Sequence, residues 1–402
     1  MPTLSFDEAR ACVIDRVMAA RTLQASEEVE LEAAAGRVLA KEVLADRDFP
    51  AVARSVRDGF AVHAADVPGA LKVIGEVRAG ERFAGEVGRG EAVEIMTGAP
   101  VPQGADAVIM VEHVTRAADN AGAIRTDRSA DVGQFINPQG CEAQAGEAVL
   151  TPGTRLGFAE IAMLASVGTA RPAVYSRPRV ALLATGDEIV PVTGTPAEFQ
   201  IRNSNVYSLV AQVQRAGAIP AILPVARDEY EDTRTLVERG LSMNLLLISG
   251  GVSAGKYDLV ERVLADFGAE FFFDRVLIQP GQPLVFGRVR DKFFFGLPGN
   301  PASTMVTFEL FARAAVELLA GQARSDLAFT LAHLTQDFRH KTGLTRFLPA
   351  NLCSAEKGPL LTPVRWHGSG DVPALTRANA FLVADANRHE WKAGELMRVL
   401  PK

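Results

Sequence analysis

Apolar residues recur at Phe6, Ala9, Val13 and Val17, directly after Ser5-Phe6-Asp7-Glu8, whose Ser-x-x-Glu spacing is that of a capping box. The pattern predicts an amphipathic helix at the start of the chain. From about Glu42 to Leu150 short apolar runs (KVIGEV, EAVEIM, DAVIMVE) are broken by Gly, Pro and Asp, which predicts a β-rich domain without a helix of good length. After Pro178 strand-like runs such as RVALLATG, NLLLISGG and KFFFGLPGN alternate with helix-like runs such as SNVYSLVAQVQRAG and DLVERVLADFG, through to about Gly321. That alternation predicts a doubly wound, mostly parallel α/β sheet. The residues beyond it return to strands and turns and predict a small β domain.

Length and composition narrow this picture. At 402 residues the chain has room for roughly two to four domains, and 48% apolar residues are ample for their cores. The net charge of −6, from 48 acidic and 42 basic residues without a basic run, argues against a nucleic-acid partner. Cys12, Cys141 and Cys353 show no metal-ligand spacing, and so few cysteines predict a reducing, cytoplasmic setting. The start, MPTLSFDEAR, lacks the features of a secretion signal. The most apolar long segment, Phe293 to Ala320, carries Asn300, Glu309, Arg313 and Glu317 and predicts a buried strand and helix, with no membrane contact. The six histidines have no ligand spacing and read as surface or core residues.

Chemistry is expected at the carboxyl ends of the α/β strands, where open sheets of this kind bind ligands. The turns there are Thr185-Gly186-Asp187-Glu188, Arg227-Asp228, Ser249-Gly250-Gly251-Val252-Ser253 and Pro298-Gly299-Asn300-Pro301, with Gln279-Pro280-Gly281-Gln282-Pro283 between the last two. Gly-rich turns that feed helix N-termini favour phosphate, and Asn300-Pro301 reads as an N-cap followed by Pro at the first helical position. Asp187, Glu188, Asp228 and Asp258 would repel a phosphorylated ligand unless a hard cation lay between, and oxygen-only ligands suit Mg²⁺. Gly250 to Lys256 matches G-x-x-x-x-G-K, but Tyr257 follows where a P-loop places Ser or Thr. A further rigid turn lies in EIMTGAPVPQGADAVIMVE, which holds the Thr97 hydroxyl and the Asp106 carboxylate.

Six motifs in order, SVRDGFAV (55–62), IMTGA (95–99), TGDE (185–188), SGGVS (249–253), GLPGNP (296–301) and GSG (368–370), make the chain resemble the molybdopterin molybdenumtransferases, the family of the gephyrin E domain. The resemblance spans nearly the whole chain. It implies a homodimer of four-domain subunits: an α/β domain of 1–26 plus 178–322, a linking domain of 27–45 plus 147–177, a β-rich domain of 46–146 that reaches the partner's site, and a C-terminal β-barrel of 323–402. The implied reaction takes adenylylated molybdopterin and molybdate to molybdenum cofactor and AMP with Mg²⁺. The adenylyltransferase that supplies the substrate is an implied partner. By motif position, the catalytic residues are Asp58, Thr97, Glu188 and Asp228. Substrate contacts fall to Thr185, Gly186, Asp187, Ser249, Gly250, Gly251, Ser253, Asp258, Pro298, Asn300, Pro301 and Ser369. Asp228, Glu188 and Asp258 are the implied Mg²⁺ ligands.

Several positions depart from the family pattern, cations among them. Gln279 and Gln282 stand where many relatives have lysine, Pro349 and Leu344 where arginine is usual, and Glu142 in place of aspartate. Lys256, Arg57, Arg346 and Arg275 are the expected substitutes. Two other readings stay open: a pterin-binding scaffold of the same fold without turnover, and a nucleotide hydrolase using Gly250 to Lys256.

Overall fold

The computed structural model describes residues 3–116, 122–251 and 259–402. The first helix, Phe6–Ala20, has Ser5 at its N-cap with both arms of the capping box formed. The Ser5 N–H donates to Glu8 Oε2 at 2.9 Å, and the Glu8 N–H donates to Ser5 Oγ at 3.4 Å. Phe6, Ala9, Val13 and Val17 are its buried residues. Ser5→Ala is expected to cost about 1 kcal/mol, seen as a lower urea midpoint at unchanged slope.

A seven-stranded sheet follows the order Thr3–Leu4, Glu270–Val276, Pro283–Val289, Lys292–Leu297, Leu245–Ser249, Arg179–Ala184, Ile219–Ile222. All strands run parallel except Pro283–Val289, which is antiparallel to both neighbours. Alternate side chains leave a strand on opposite faces. Val180, Leu182, Leu245, Leu247, Phe293 and Phe295 share a core with the helices Phe6–Ala20, Ser204–Arg215 and Pro301–Thr307 with its continuation to Leu319. Ala181, Leu183, Leu246, Ile248 and Phe294 share the other core with Tyr230–Leu241 and Leu259–Asp266. The sheet is therefore doubly wound.

Two of its strands, Glu270–Val276 and Pro283–Val289, lie outside the expected alternation of strands and helices. Pro283–Val289 and Lys292–Leu297 form a hairpin whose turn holds Arg290 at φ 55°. Phe286 lies 4.6 Å from Phe295 and 5.7 Å from Phe293 between ring centroids, so the hairpin is secured by aromatic stacking rather than by a polar–apolar period. The long helix after Asn300 also carries a π turn at Phe308–Ala312, which no sequence signal marks.

Between 42 and 150 the only helical pieces among the described residues are the three-residue turns Ala64–Asp66 and Val111–His113. The region is built on a six-stranded sheet in the order Ala107–Met110, Gly59–Val62, Glu91–Ile95, Gly69–Val77, Ala123–Thr126, Thr115–Arg116. Phe60 and Val62 face one core, and Ala61, Val93 and Ile95 face another. A separate small core gathers Leu39, Val43, Leu156, Leu164 and Val174. At the far end Thr345–Cys353, Leu360–Pro363, Thr330–Leu334, Leu396–Pro401 and Ala380–Ala384 pair in turn, and the last closes on the first as a five-stranded barrel. Ile278–Gln279 pairs with Thr345–Arg346, which ties the barrel to the segment leaving the α/β sheet. No helix among the described residues is long and apolar enough to cross a membrane.

Candidate functional site

The sheet ladder continues past its strands and draws the expected turns together. The Thr185 N–H donates to Ser249 O at 3.1 Å, the Gly186 N–H to Ala226 O at 3.2 Å, and the Gly250 N–H to Leu297 O at 3.2 Å. Gly250 and Gly251 have φ of +92° and +63°. A Cβ on Gly250 would lie 2.7 Å from Thr185 O, and one on Gly251 would lie 2.7 Å from Thr185 Oγ1. Only glycine meets both demands. Gly250→Ala is accordingly expected to cost about 1–3 kcal/mol, measured as a fall in chemical stability. Thr185, Glu188, Ser249, Gly250, Gly299 and Pro301 then line one groove of about 40 Å³ with Asn203 and Asn205.

In the turn that leads to Glu188, Asp187 Oδ1 accepts the Asp228 N–H at 3.3 Å, and both residues are exposed. The Glu188 carboxylate lies over Gly186, whose φ is +136° and where a Cβ would come within 2.3 Å of Glu188 Oε2. Asn300 stands at the N-cap before Pro301, yet its side chain makes no capping bond. The Thr304 hydroxyl lies there instead, 2.5 Å from Pro298 O and 3.1 Å from Asn300 O. The Ala302 N–H is taken by Ser369 O at 2.9 Å, which brings the C-terminal GSG turn to the sheet edge and satisfies a free donor of the helix's first turn. Ser253, Lys256 and Asp258 lie outside the described residues, as does most of the P-loop-like run. Among the described residues no group of three His, Cys, Asp or Glu is arranged to hold a metal ion.

Asp58 and Thr97 form a unit of their own. Asp58 Oδ1 accepts both the Thr97 N–H, at 2.6 Å, and the Thr97 hydroxyl, at 2.8 Å. The backbone bond first, and the hydroxyl second, hold the Asp58 carboxyl below its usual range, so it stays ionised. The carboxylate that partners Thr97 is thus Asp58 and not Asp106, whose Oδ1 is occupied by the Ala64 N–H at 2.6 Å. Thr97 opens onto a cleft of about 480 Å³ that also presents Arg47, Arg54, Asn137 and Glu142. This cleft and the strand-end groove have no lining residue in common.

The expected substitute cations differ in their surroundings. Arg346 donates to Gln279 Oε1, so a guanidinium stands beside a position where lysine was expected, and burial lowers its pKa. Arg57 lies over the Phe135 ring at 5.9 Å. Arg275 is exposed. Asn205, which joins two of the turns, was not foreseen. Its only local signal is the Asn203-Ser204-Asn205 helix start, which reads as capping alone.

Comparison with known proteins agrees along the length of the chain. Residues 4–168 match the MoeA N-terminal region (domains I and II), 181–318 the probable molybdopterin binding domain, and 332–402 the MoeA C-terminal region (domain IV). The molybdopterin molybdenumtransferase of Bacillus subtilis is 35% identical over 385 residues, covering 93% of this chain and 89% of its own. That of Staphylococcus aureus is 31% identical over 395 residues, covering 96% and 94%. A solved molybdopterin biosynthesis moeA protein from Pyrococcus horikoshii superimposes with a TM-score of 0.78 at 27% identity over the whole of both chains. With these strand-end turns, this barrel and these matches, the chain belongs to the molybdopterin molybdenumtransferase (MoeA) family.

Proposed function

We propose that this protein inserts molybdenum in molybdenum cofactor biosynthesis, converting adenylylated molybdopterin and molybdate to molybdenum cofactor and AMP. Membership of a family whose relatives are named molybdopterin molybdenumtransferase supports a transferase of this kind. The observation that carries the finer reading is the convergence of the Thr185, Ser249 and Pro298 turns on one sheet edge, with Asp187, Glu188 and Asp228 in the turns that meet there. Glycines there let a backbone approach a pyrophosphate closely, and Thr185, Gly186, Asp187, Ser249, Gly250, Gly251, Ser253, Pro298, Asn300, Pro301 and Ser369 seat the substrate.

The donor set suits Mg²⁺, which is commonly held by one or two carboxylates and completed by phosphate oxygens and water, so no all-protein cage is needed. Asp228 and Glu188 would hold it, with Asp258 as a further ligand. The ion would offset the charge that builds on the pyrophosphate as it is cleaved. Asp58, kept ionised by Thr97, orients the attacking oxygen as a hydrogen-bond acceptor. We take the working form to be a cytoplasmic homodimer in which the Asp58–Thr97 unit of one subunit completes the strand-end groove of the other. Two separate clefts in one chain support that arrangement. The domain limits given above and a contact with the upstream adenylyltransferase belong to the same proposal.

The test is AMP release from adenylylated molybdopterin with and without molybdate. Release that depends on molybdate supports the transferase. Tight pterin binding without AMP would make the chain a binding protein, the reading that Gln279 and Gln282 favour by leaving out two cations. ATP hydrolysis without molybdate would point to a hydrolase.

A further inference from the structure

Asn205 is the second residue of the helix Ser204–Arg215 and stands where two strand-end turns meet. Its side-chain nitrogen donates to Ser249 Oγ at 2.8 Å and to Gly299 O at 2.7 Å. A backbone carbonyl can only accept, so the contact with Gly299 fixes which end of the amide is nitrogen. The other end, Asn205 Oδ1, is buried and has no hydrogen-bond partner among the described residues. Thr185 Oγ1 is in the same state, on a residue only 5% exposed. Both residues line the same groove of about 40 Å³.

Two residues that line one groove, each with a buried polar atom left without a partner among the described residues, call for a water, an ion or a ligand group. The chemistry of the lining narrows the choice. Asn205 Oδ1 is acceptor only and Glu188 adds a further acceptor to the same groove, while the groove's cation, Arg202, is exposed and donates through Nε to Gly194 O at 3.1 Å. At Asn205 Oδ1 itself a phosphate or molybdate oxygen would meet an acceptor with no proton to share, whatever the glycine N–H groups beside it bind. An N–H donor would be bound.

We infer that Asn205 Oδ1 and Thr185 Oγ1 are specificity-determining groups that receive an amino N–H of the substrate's fused heterocycle. The inference rests on the proposed substrate, an adenylylated pterin, which carries such a group on each of its two ring systems. Selectivity of this kind is strong, because an analogue lacking the donor leaves the site's buried acceptors unpaired.

Calorimetric titration of the intact protein with two pairs of probes tests it and separates the sources. Adenosine and inosine monophosphates form one pair, and 6-hydroxymethylpterin and its 2-oxo (lumazine) counterpart the other. In one pair the amino member is expected to bind roughly ten- to a hundredfold more tightly, and that pair names the ring that is read. Thr185→Val keeps the shape and deletes the hydroxyl. It is expected to erase most of the preference while the melting temperature stays level or rises, because an unpaired buried polar group is lost.

A variant that melts lower and keeps the amino preference would make Thr185 a structural residue and overturn the inference. So would wild-type protein that binds molybdopterin but shows no preference in either pair. A melting temperature raised by Mg²⁺ alone, and no longer raised in Thr185→Val, would reassign the groove to a cation and overturn it too. Wild-type protein that binds neither molybdopterin nor any of the four probes would overturn the proposed function along with it.

Discussion

Asp228→Asn lowers molybdate-dependent AMP release by on the order of 100-fold or more, with the melting temperature unchanged. The substitution keeps size and shape and removes one negative charge. Asp228 is exposed, and among the described residues only its backbone N–H is engaged, by Asp187. Its loss should therefore leave folding alone and act on the reaction. The charge matters because a carboxylate beside a pyrophosphate serves through the divalent cation between them, and an amide holds Mg²⁺ far more weakly. The measurement is single-turnover AMP release at several Mg²⁺ concentrations. Partial recovery at high Mg²⁺ marks the residue as a ligand. An unchanged rate removes Asp228 from the mechanism.

A mixture of Asp58→Asn and Asp228→Asn subunits regains activity that neither has alone. Asp58→Asn keeps an acceptor oxygen for the Thr97 N–H and hydroxyl, so the turn stands while the charge is lost. If each site takes Asp58 from one subunit and Asp228 from the other, a mixed dimer holds one intact site and one doubly damaged one. Equal random mixing makes half the dimers mixed, so about a quarter of wild-type activity is expected. If each site lies within one chain, the mixture stays as inactive as its parts. The assay is AMP release after the two proteins are co-refolded or co-expressed with different tags, with the mixed species isolated by both tags. Recovery in that species alone assigns the activity to shared sites.

Legibility in the sequence followed distance along the chain. The Ser5–Glu8 capping box joins residues three apart and forms as its spacing predicts, because both partners lie on one helical turn. Strand ends were equally readable: Thr185, Ser249 and Pro298 each close an apolar run with a turn. The pairing of Thr97 with Asp58 was not readable from spacing. Asp106 is closer to Thr97 in sequence than Asp58 is, yet Asp106 serves the Ala64 N–H, and only the six-stranded sheet decides between them. Lys292–Leu297 reads as a strand, but its hairpin partner Pro283–Val289 escaped for another reason. PLVFGRV is buried along most of its length and shows no period with which to separate strand from helix.

By itself the sequence determined the order of the motifs, the alternation that builds a doubly wound sheet, and the glycines at its carboxyl edge. These are local properties, set by side-chain period and by the backbone freedom of single residues. Only the tertiary structure decided which groups meet. It put Asp187 against Asp228, Ser369 on the first turn of the helix after Asn300, Arg346 beside Gln279, and the unpaired oxygens of Asn205 and Thr185 in one groove. Each of these meetings closes a long loop whose ends are placed by the whole core, and no local signal carries that information.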